Sequence, residues 1–208
     1  MGNKARRLLR VNPNGFTLIE VMLTIAISGI ALAAIYGVFI SSSQSYRTQE
    51  GVVDAQQRAR VGLDFMVRNI RMAGLDPLSP AIDASEPGTG VGIKEATATK
   101  IRFTADMDMN GAIDNPNNEE RLTYTYNAAN QTLSQIRYEG TASASTQPLI
   151  DMVSALAFTY LDTNGVMTAN LADIRSVIIS ITCQGTGARG QILTRTLSTR
   201  VNCRNLGI

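Results

Sequence analysis

The feature that most constrains this chain is an uncharged apolar run at residues 21–40. As an α-helix, such a run rises about 30 Å, which equals the hydrocarbon thickness of a bilayer. Ahead of it lie Lys4, Arg6, Arg7 and Arg10, with no acidic residue among the first 15 positions. Basic residues beside a membrane span stay on the cytoplasmic side. The pattern therefore predicts one membrane span with the rest of the chain on the far side.

The order of segments around this run differs from that of a secretory signal peptide. A signal peptide is cut after its apolar core, whereas here the small polar stretch NPNG, residues 12–15, comes before the core. Cutting after Gly15 would retain the hydrophobic helix and create an α-amino group at Phe16. Glu20 lies four residues further on, which is about one helical turn. The new amine is therefore expected to pair with Glu20 of its own chain or of a neighbouring chain.

The sequence GFTLIE at residues 15–20, after a basic leader and before a long apolar run, resembles the prepilin signature of type IV pilins and type II secretion pseudopilins. The resemblance implies that prepilin peptidase cleaves after Gly15 and that the new terminal Phe16 is N-methylated. It also implies that Glu20 sets the register of subunits during filament assembly. The alternative is an ordinary signal anchor in which the motif arises by chance.

Helical periodicity continues beyond the apolar run. Apolar residues recur at three- and four-residue spacing, which predicts one amphipathic stripe: Val52, Ala55, Ala59, Leu63, Met66, Val67, Ile70 and Ala73. With Gly74 as a C-cap and Pro77 as a stop, one helix is predicted over residues 16–73. The arginines between these positions lack interleaved aromatic residues, so a solvated face is favoured over nucleic-acid binding.

Two further features bear on the kind of pilin. Gly37 stands where major pilins often carry a proline, and Gly29 lies two turns earlier. These glycines favour either local melting of the helix or close helix packing. The stretch at residues 61–77 resembles the end of the long helix in minor pilins of the PilW type. Together with the missing proline and a long C-terminal domain, this favours a minor subunit.

The remainder of the chain predicts an antiparallel sheet. Residues 79–92 and 139–148 are expected to be loops, and residues 121–126 and 132–138 a hairpin around the turn NAANQ. Further strands are expected at residues 100–105, within 149–161, at 174–182 and at 192–201. Strands that follow one long helix indicate an α+β protein. This agrees with the pilin fold that the N-terminus implies, in which one long N-terminal helix packs on an antiparallel sheet.

Residues 106–117 match the first half of a calcium loop, with oxygen-bearing side chains at alternate positions and Gly111 at the sixth. The expected ligands are Asp106, Asp108, Asn110, the carbonyl of Ala112, Asp114 and, at the twelfth position, Asn117. Glu119 or Glu120 would substitute for the usual glutamate there. The alternative is a plain turn rich in Asx residues and glycine.

The two cysteines, Cys183 and Cys203, are a disulfide candidate in an exported domain. A hairpin turning near Gly187 would place Cys183 opposite a residue near Ile192, so a bond needs a bend or a crossing. Two buried free thiols are the alternative.

Composition limits the other function classes. The chain has no histidine, which excludes Ser-His-Asp and Cys-His catalysis and histidine-containing zinc sites, and no enzymatic role is expected. The net charge is +2 overall and, without the four basic residues of the first 15, 2 − 4 = −2. Basicity therefore belongs to the leader, and no nucleic-acid partner is expected.

These observations predict four segments: a cleaved leader at 1–15, a hydrophobic helix at 16–44 that spans the membrane and then forms the filament core, its amphipathic half at 45–77, and a periplasmic sheet domain at 78–208. The expected function is a minor pilin of a type IV pilus. Its expected partners are prepilin peptidase, other minor and major pilins, and the inner-membrane assembly platform, with calcium as a candidate cofactor. A type II secretion pseudopilin and a membrane-anchored periplasmic calcium-dependent binding module are the alternatives.

Overall fold

A computed structural model describes residues 15–78, 82–83, 90–114 and 119–206. Its dominant element is one long helix, α1, which covers Leu18–Arg71. The chain divides into two compact units, residues 1–44 and 45–208, and α1 contributes to both. The structure thus has the single long helix that the periodicity predicts. The helix ends at Arg71. The turn that follows contains Gly74, whose φ of +81° suits glycine and whose N–H donates to the Thr104 carbonyl at 3.0 Å.

The second unit contains ten strands in the described residues. They are β1 (Ile82–Asp83), β2 (Gly92–Ala96), β3 (Lys100–Thr104), β4 (Ala112–Ile113), β5 (Arg121–Asn127), β6 (Thr132–Arg137), β7 (Ser145–Ile150), β8 (Val153–Leu161), β9 (Ser176–Thr186) and β10 (Ile192–Asn202).

These strands form two antiparallel sheets and one minor pair. The larger sheet has the order β2-β3-β5-β6-β7, and the smaller has the order β10-β9-β8. The strands β1 and β4 form a two-residue parallel pair. The fold is therefore α+β, with one long helix and antiparallel sheets, as is typical of pilins.

The hairpin predicted around NAANQ is confirmed as β5 and β6. Its turn is held by Asn127, whose Oδ1 accepts bonds from the N–H groups of Ala129 and Asn130 at 3.0 and 3.2 Å. Gln131 completes the turn with a φ of +52°. Asparagine favours such turns because its side chain bonds to its own following backbone, so the local sequence accounts for the register of this hairpin.

The core of the second unit lies between α1 and both sheets. Six of the eight predicted stripe residues are buried, and the other two, Val52 and Val67, are half-buried. Their neighbours in the core include Tyr124 and Leu133 of the larger sheet and Ile179 and Ile181 of the smaller one. The helical periodicity therefore predicted the buried face of α1 correctly.

The backbones of α1 and β9 approach each other very closely at two glycines. A Cβ on Gly185 would lie 1.9 Å from the carbonyl oxygen of Gly51, and a Cβ on Gly51 would lie 2.6 Å from that of Thr186. Neither position could hold a side chain unless the helix and the strand moved apart. Sequence analysis did not identify this crossing point.

Two of the predicted loops contain strands. β7 begins at Ser145, inside the expected loop 139–148, and the expected loop 79–92 contains β1 and the first residue of β2, Gly92. Residues 79–81 and 84–89 of that second loop lie outside the described residues. The first four residues of β7, STQP, are exposed, so they carry no apolar alternation that would indicate a strand.

The expected disulfide is not formed. Cys183 and Cys203 are both buried and free. Cys183 lies opposite Arg195 in the β9–β10 register, and Cys203 follows 203 − 195 = 8 positions later. At about 3.3 Å per residue the cysteines are separated by roughly 26 Å along the strand, whereas a disulfide needs Cα atoms within about 7 Å. The hairpin turn covers residues 187–191, so Cys183 pairs with Arg195 rather than with a residue near Ile192 as expected, and the turn keeps the thiols apart.

Candidate functional site

The predicted cleavage position lies in backbone without regular secondary structure. Gly15, Phe16 and Thr17 precede the first helical residue, Leu18. The Phe16 side chain is 87% exposed, and a Cβ at Gly15 would have no neighbour within 4 Å. The Gly15–Phe16 peptide bond is therefore accessible in the described part of the chain.

Thr17 and Glu20 form a reciprocal cap at the start of α1. The Thr17 N–H and its hydroxyl both donate to Glu20 Oε2 at 2.9 Å, and the Glu20 N–H donates to Thr17 Oγ1 at 3.3 Å. This arrangement is a capping box, which satisfies backbone donors that have no partner within the helix. Its sequence signal, a threonine three residues before a glutamate and an apolar run, was present in GFTLIE, but the role of Thr17 was not predicted.

The cap fixes where the Glu20 charge lies. A carboxylate in the first turn is stabilised by the positive end of the helix dipole. Cleavage after Gly15 would turn the Phe16 nitrogen into an amine one residue before Thr17, whose N–H already bonds to this carboxylate. The carboxylate and the new amine would thus lie at the same helix end, where they have opposite charges.

The apolar side chains that follow are exposed. Within the N-terminal unit, Ile30 is 73% exposed, and Leu32, Ile35 and Val38 are similarly uncovered. By length and composition, α1 contains a segment that could cross a membrane. Such a surface requires lipid or other proteins to cover it, which fits a membrane-anchored pilin.

A second candidate site is a cluster of carboxylates in the sheet domain. One carboxylate oxygen from each of Asp106, Asp108 and Glu120 lies within 4.8 Å of the others. Asp106 and Glu120 are fully buried, whereas Asp108 is exposed. Hard cations such as Ca²⁺ bind oxygen ligands of this kind, so these three residues could contribute ligands to a cation.

Backbone and hydroxyl donors orient the two buried carboxylates. Asp106 Oδ1 and Oδ2 accept bonds from the N–H groups of Asn110 and Gly111 at 3.2 and 3.0 Å. Glu120 Oε2 accepts bonds from the Tyr138 hydroxyl at 2.8 Å and from the Asp114 N–H at 3.2 Å. Burial, and next the bond to Glu120, raise the pKa of Tyr138, so its hydroxyl stays protonated and donates.

The predicted calcium ligands have different positions in the structure. Asp106 and Asp108 come together as expected, with Glu120 as their third partner. Asp114 is not among the described carboxylates that converge there, and it contacts Glu120 through its backbone N–H. Asn110 Oδ1 accepts a bond from the N–H of Ala112, the first residue of β4, at 2.8 Å. Asn117 lies outside the described residues.

Glu119 and Glu120 have separate surroundings. Glu119 accepts bonds from Asn69 at 3.2 Å and from Arg137 at 3.3 Å, whereas Glu120 bonds to Tyr138. Although adjacent in sequence, they have no hydrogen-bonding partner in common among these bonds.

The comparison with known families concerns the N-terminal segment. The family model described as the prokaryotic N-terminal methylation motif matches residues 10–36, which include GFTLIE and most of the apolar run. The chain therefore carries a type IV prepilin motif and is prepilin-like. The match indicates the type IV pilin and pseudopilin group without distinguishing the PilW type, and it implies processing by prepilin peptidase and assembly with other pilins. No curated protein matches the chain.

Proposed function

We propose that this chain is a minor pilin of a type IV pilus, a structural and non-enzymatic subunit. Prepilin peptidase cleaves it after Gly15 and methylates Phe16, and the mature chain then joins the complex that primes or tips the filament. The observation that carries this proposal is the methylation motif at residues 10–36, continuous with a helix whose apolar side chains are exposed.

Two interactions drive assembly, namely the packing of apolar side chains and the pairing of opposite charges. Exposed apolar residues of the N-terminal unit leave the lipid and pack against the helices of neighbouring subunits. Glu20, held at the start of α1 by Thr17, pairs with the terminal amine of a neighbour, which neutralises a charge that is costly in an apolar setting.

The same features also support a type II secretion pseudopilin. That function uses the same N-terminal motif, and neighbouring genes discriminate the two: pilus and twitching-motility genes against secretion genes. Minor-pilin status is favoured by glycine instead of proline at residue 37 and by the long C-terminal domain. A membrane-anchored binding module, in contrast, requires an N-terminus that is never cut.

The test is quantitative mass spectrometry of sheared surface filaments and of the membrane fraction. A chain that begins at methylated Phe16 and is present in filaments at a small fraction of the dominant subunit is the expected result. If the chain in membranes still carries Met1 or Lys4 and is absent from filaments, the minor-pilin proposal fails.

We also propose that Asp106, Asp108 and Glu120 hold a calcium ion. One oxygen from each of these three carboxylates lies within 4.8 Å of the others, and two of the three side chains are fully buried, which is a donor set that suits a hard cation. Asn110 and the Ala112 carbonyl are the nearest additional oxygen donors in the sequence, and water would complete the six to eight ligands that Ca²⁺ requires.

Calcium binding is tested by the melting temperature of the full-length chain in detergent, with calcium and with chelator. Calcium should raise it, and Asp106→Asn together with Asp108→Asn should remove the rise. Asp162→Asn is the matched control, because Asp162 Oδ1 accepts bonds from the N–H groups of Asn164 and Val166 in a plain turn. If the melting temperature of the unmodified chain is the same with calcium and with chelator, this second proposal is refuted.

A further inference from the structure

An open groove of about 460 Å³ lies beside α1, near the point where the backbones of α1 and β9 meet. Its charged lining comes entirely from α1, and the remaining lining includes Met152, Thr186 and Gly187. A groove of this volume is large enough for a small ligand or for part of a larger one. The charged residues that line it are Arg47, Glu50, Asp54 and Arg58. These side chains decide what chemistry the groove can bind.

Only some of these charges are neutralised within the protein. Arg58 is half-buried and pairs with Asp54 at 3.4 Å and with Asp151, the residue that follows β7. Arg47 and Glu50 are exposed, and neither forms an ion pair with any residue that the structure describes. They are three positions apart on the helix, so their side chains are neighbours on its surface. The groove therefore presents one cation and one anion that are both available to a ligand.

The chain itself holds this groove close to the membrane. Arg47 lies 47 − 40 = 7 residues beyond Ile40, the last residue of the uncharged apolar run. These residues are helical, and seven helical residues rise about 10 Å. The headgroup layer extends roughly 5 to 7 Å beyond the hydrocarbon on each side of a bilayer, and a long arginine side chain covers the remaining distance. Tyr46 is 69% exposed, as is typical of tyrosines at a membrane–water interface. Lipid headgroups are therefore within reach of the groove.

We propose that the groove binds the zwitterionic headgroup of a phospholipid that carries a primary ammonium group. Arg47 binds the phosphate, and Glu50 accepts hydrogen bonds from the ammonium. The proposal rests on the membrane anchoring of α1 and does not depend on the assignment as a minor pilin. The site acts before assembly, while the chain is in the membrane, and it is not expected to decide how much of the chain enters filaments.

The two available charges favour this headgroup over other common kinds. An anionic headgroup without an ammonium would bring its phosphate to Arg47 but would offer no cation to Glu50. A trimethylammonium headgroup has no N–H group, so it could not form the charge-assisted hydrogen bond that a carboxylate makes with a primary ammonium. A phosphate and a primary ammonium on one headgroup match both side chains.

The test measures which lipids stay bound to the full-length chain. The chain is reconstituted in nanodiscs of equal parts phosphatidylethanolamine, phosphatidylglycerol and phosphatidylcholine with identical acyl chains, and native mass spectrometry counts the lipids that remain attached on release. Because the acyl chains are the same, any preference reports the headgroup alone. Phosphatidylethanolamine should be enriched about fivefold over phosphatidylcholine, as expected for two exposed charged contacts.

Protein variants locate the binding site. Arg47→Gln with Glu50→Gln removes both charges without changing the net charge, and it should abolish the enrichment. Glu50→Gln alone should reduce binding of phosphatidylethanolamine but not of phosphatidylglycerol. Arg60→Gln with Asp64→Asn is the matched control, because it removes one cation and one anion from a separate groove of α1, farther from the apolar run. This control should keep the enrichment, and since all four side chains are exposed, every variant should melt at the same temperature.

Three results would overturn the proposal. The first is that the unmodified chain enriches none of the three lipids. The second is that it enriches phosphatidylglycerol most, which would make Arg47 a simple anion contact. The third is that the double variant at residues 47 and 50 keeps the enrichment, or that the control pair loses it equally, because the lipid would then be selected elsewhere on α1.

Discussion

The two parts of α1 share one helical backbone but differ in what covers their apolar side chains. In the N-terminal unit, apolar residues occur on every side of the helix and are exposed, as at Ile30 and Ile35. In the second unit they form one stripe, and residues such as Met66 and Ile70 are fully buried. An apolar stripe can be buried against sheets of the same chain, whereas a helix that is apolar on all sides needs lipid or other helices to cover its surface. The second part therefore contributes to folding of the chain itself, whereas the first part leaves an apolar surface for lipid or other proteins to cover.

The largest expected effect concerns Glu20, whose partner is expected to come from another chain. Glu20→Ala should leave cleavage after Gly15 intact but should nearly abolish incorporation into filaments, because the neighbour's amine loses its counter-charge. The measurement is the ratio of this subunit to the dominant pilin in sheared filaments, with the membrane fraction as reference.

Glu50→Ala is the matched control, because Glu50 is an exposed glutamate of the same helix in the second unit. It should be incorporated normally. If the two variants are incorporated equally well, the assembly role of Glu20 is wrong, and the contrast between the two parts of α1 loses its functional meaning.

The second prediction compares how tightly the backbone is packed at Gly185 and at Gly37. Gly185→Ala should lower the free energy of unfolding by about 3 kcal/mol, because the new methyl group would collide with the Gly51 carbonyl, which is backbone and cannot rotate away. Gly37→Ala in the first part meets nothing within 4 Å and should not destabilise the sheet domain. Chemical denaturation of the full-length chain in detergent, followed by tyrosine fluorescence, compares them. Equal midpoints for the two variants would contradict the tight crossing.

The sequence predicted the N-terminal part more completely than the sheet domain. The motif GFTLIE and the apolar run are local signals, because each is one continuous segment of the sequence. The apolar stripe from Ala55 to Ile70 was predicted equally well, because helical periodicity indicates which face of a helix is buried. These features follow from short-range rules, so no knowledge of distant strands was needed.

Features that depend on distant residues were missed or were wrong. The contact of Gly51 with Gly185 joins positions 185 − 51 = 134 residues apart, and no local pattern predicts which strand a helix will cross. The disulfide prediction was wrong, and the alternative of two buried free thiols is what the structure shows; the hairpin turn near Gly187 was the sequence signal against the bond, because it places Cys183 and Cys203 far apart in the register of β9 and β10. The division into two sheets was also missed, since strand order is a property of the whole domain.

The candidate cation cluster was predicted from the sequence only in part. The loop spacing predicted that Asp106 and Asp108 approach each other, and the structure confirms it. Sequence analysis named Glu120 only as one of two possible substitutes. Its selection over Glu119 depends on the bonds of Glu119 to Asn69 of α1 and to Arg137 of β6, which draw that side chain to other partners.

A smaller effect tests the corrected cysteine pairing. Burial raises the pKa of both Cys183 and Cys203 from 9.0 to about 11, which lowers the thiolate fraction at pH 8 about a hundredfold. In the folded chain both thiols should react slowly with iodoacetamide, and in denaturant without reductant both should react fully. Alkylation that occurs only after reduction would reveal a disulfide and contradict the β9–β10 register.

The same shift predicts the direction of the pH dependence of stability. A thiol whose folded pKa is raised binds its proton more tightly in the folded chain, so its contribution is complete below pH 9. The free energy of unfolding should then fall as the pH rises from about 9 towards 11. Cys183→Ala with Cys203→Ala should reduce this slope relative to the unmodified chain.

The smallest expected effect concerns the cap at the start of α1, where Thr17 bonds to Glu20, the residue proposed to direct assembly. Thr17→Ala removes the hydroxyl that bonds to Glu20 in both directions, so the amides of the first turn should exchange with deuterium about fivefold faster in micelles. Thr17→Ser keeps the hydroxyl and should exchange at the original rate. Because Glu20 retains its charge in both variants, comparing them separates orientation of the carboxylate from its charge. If Thr17→Ala changes exchange but filament incorporation stays normal, the cap serves only the helix, and the charge of Glu20 alone directs assembly.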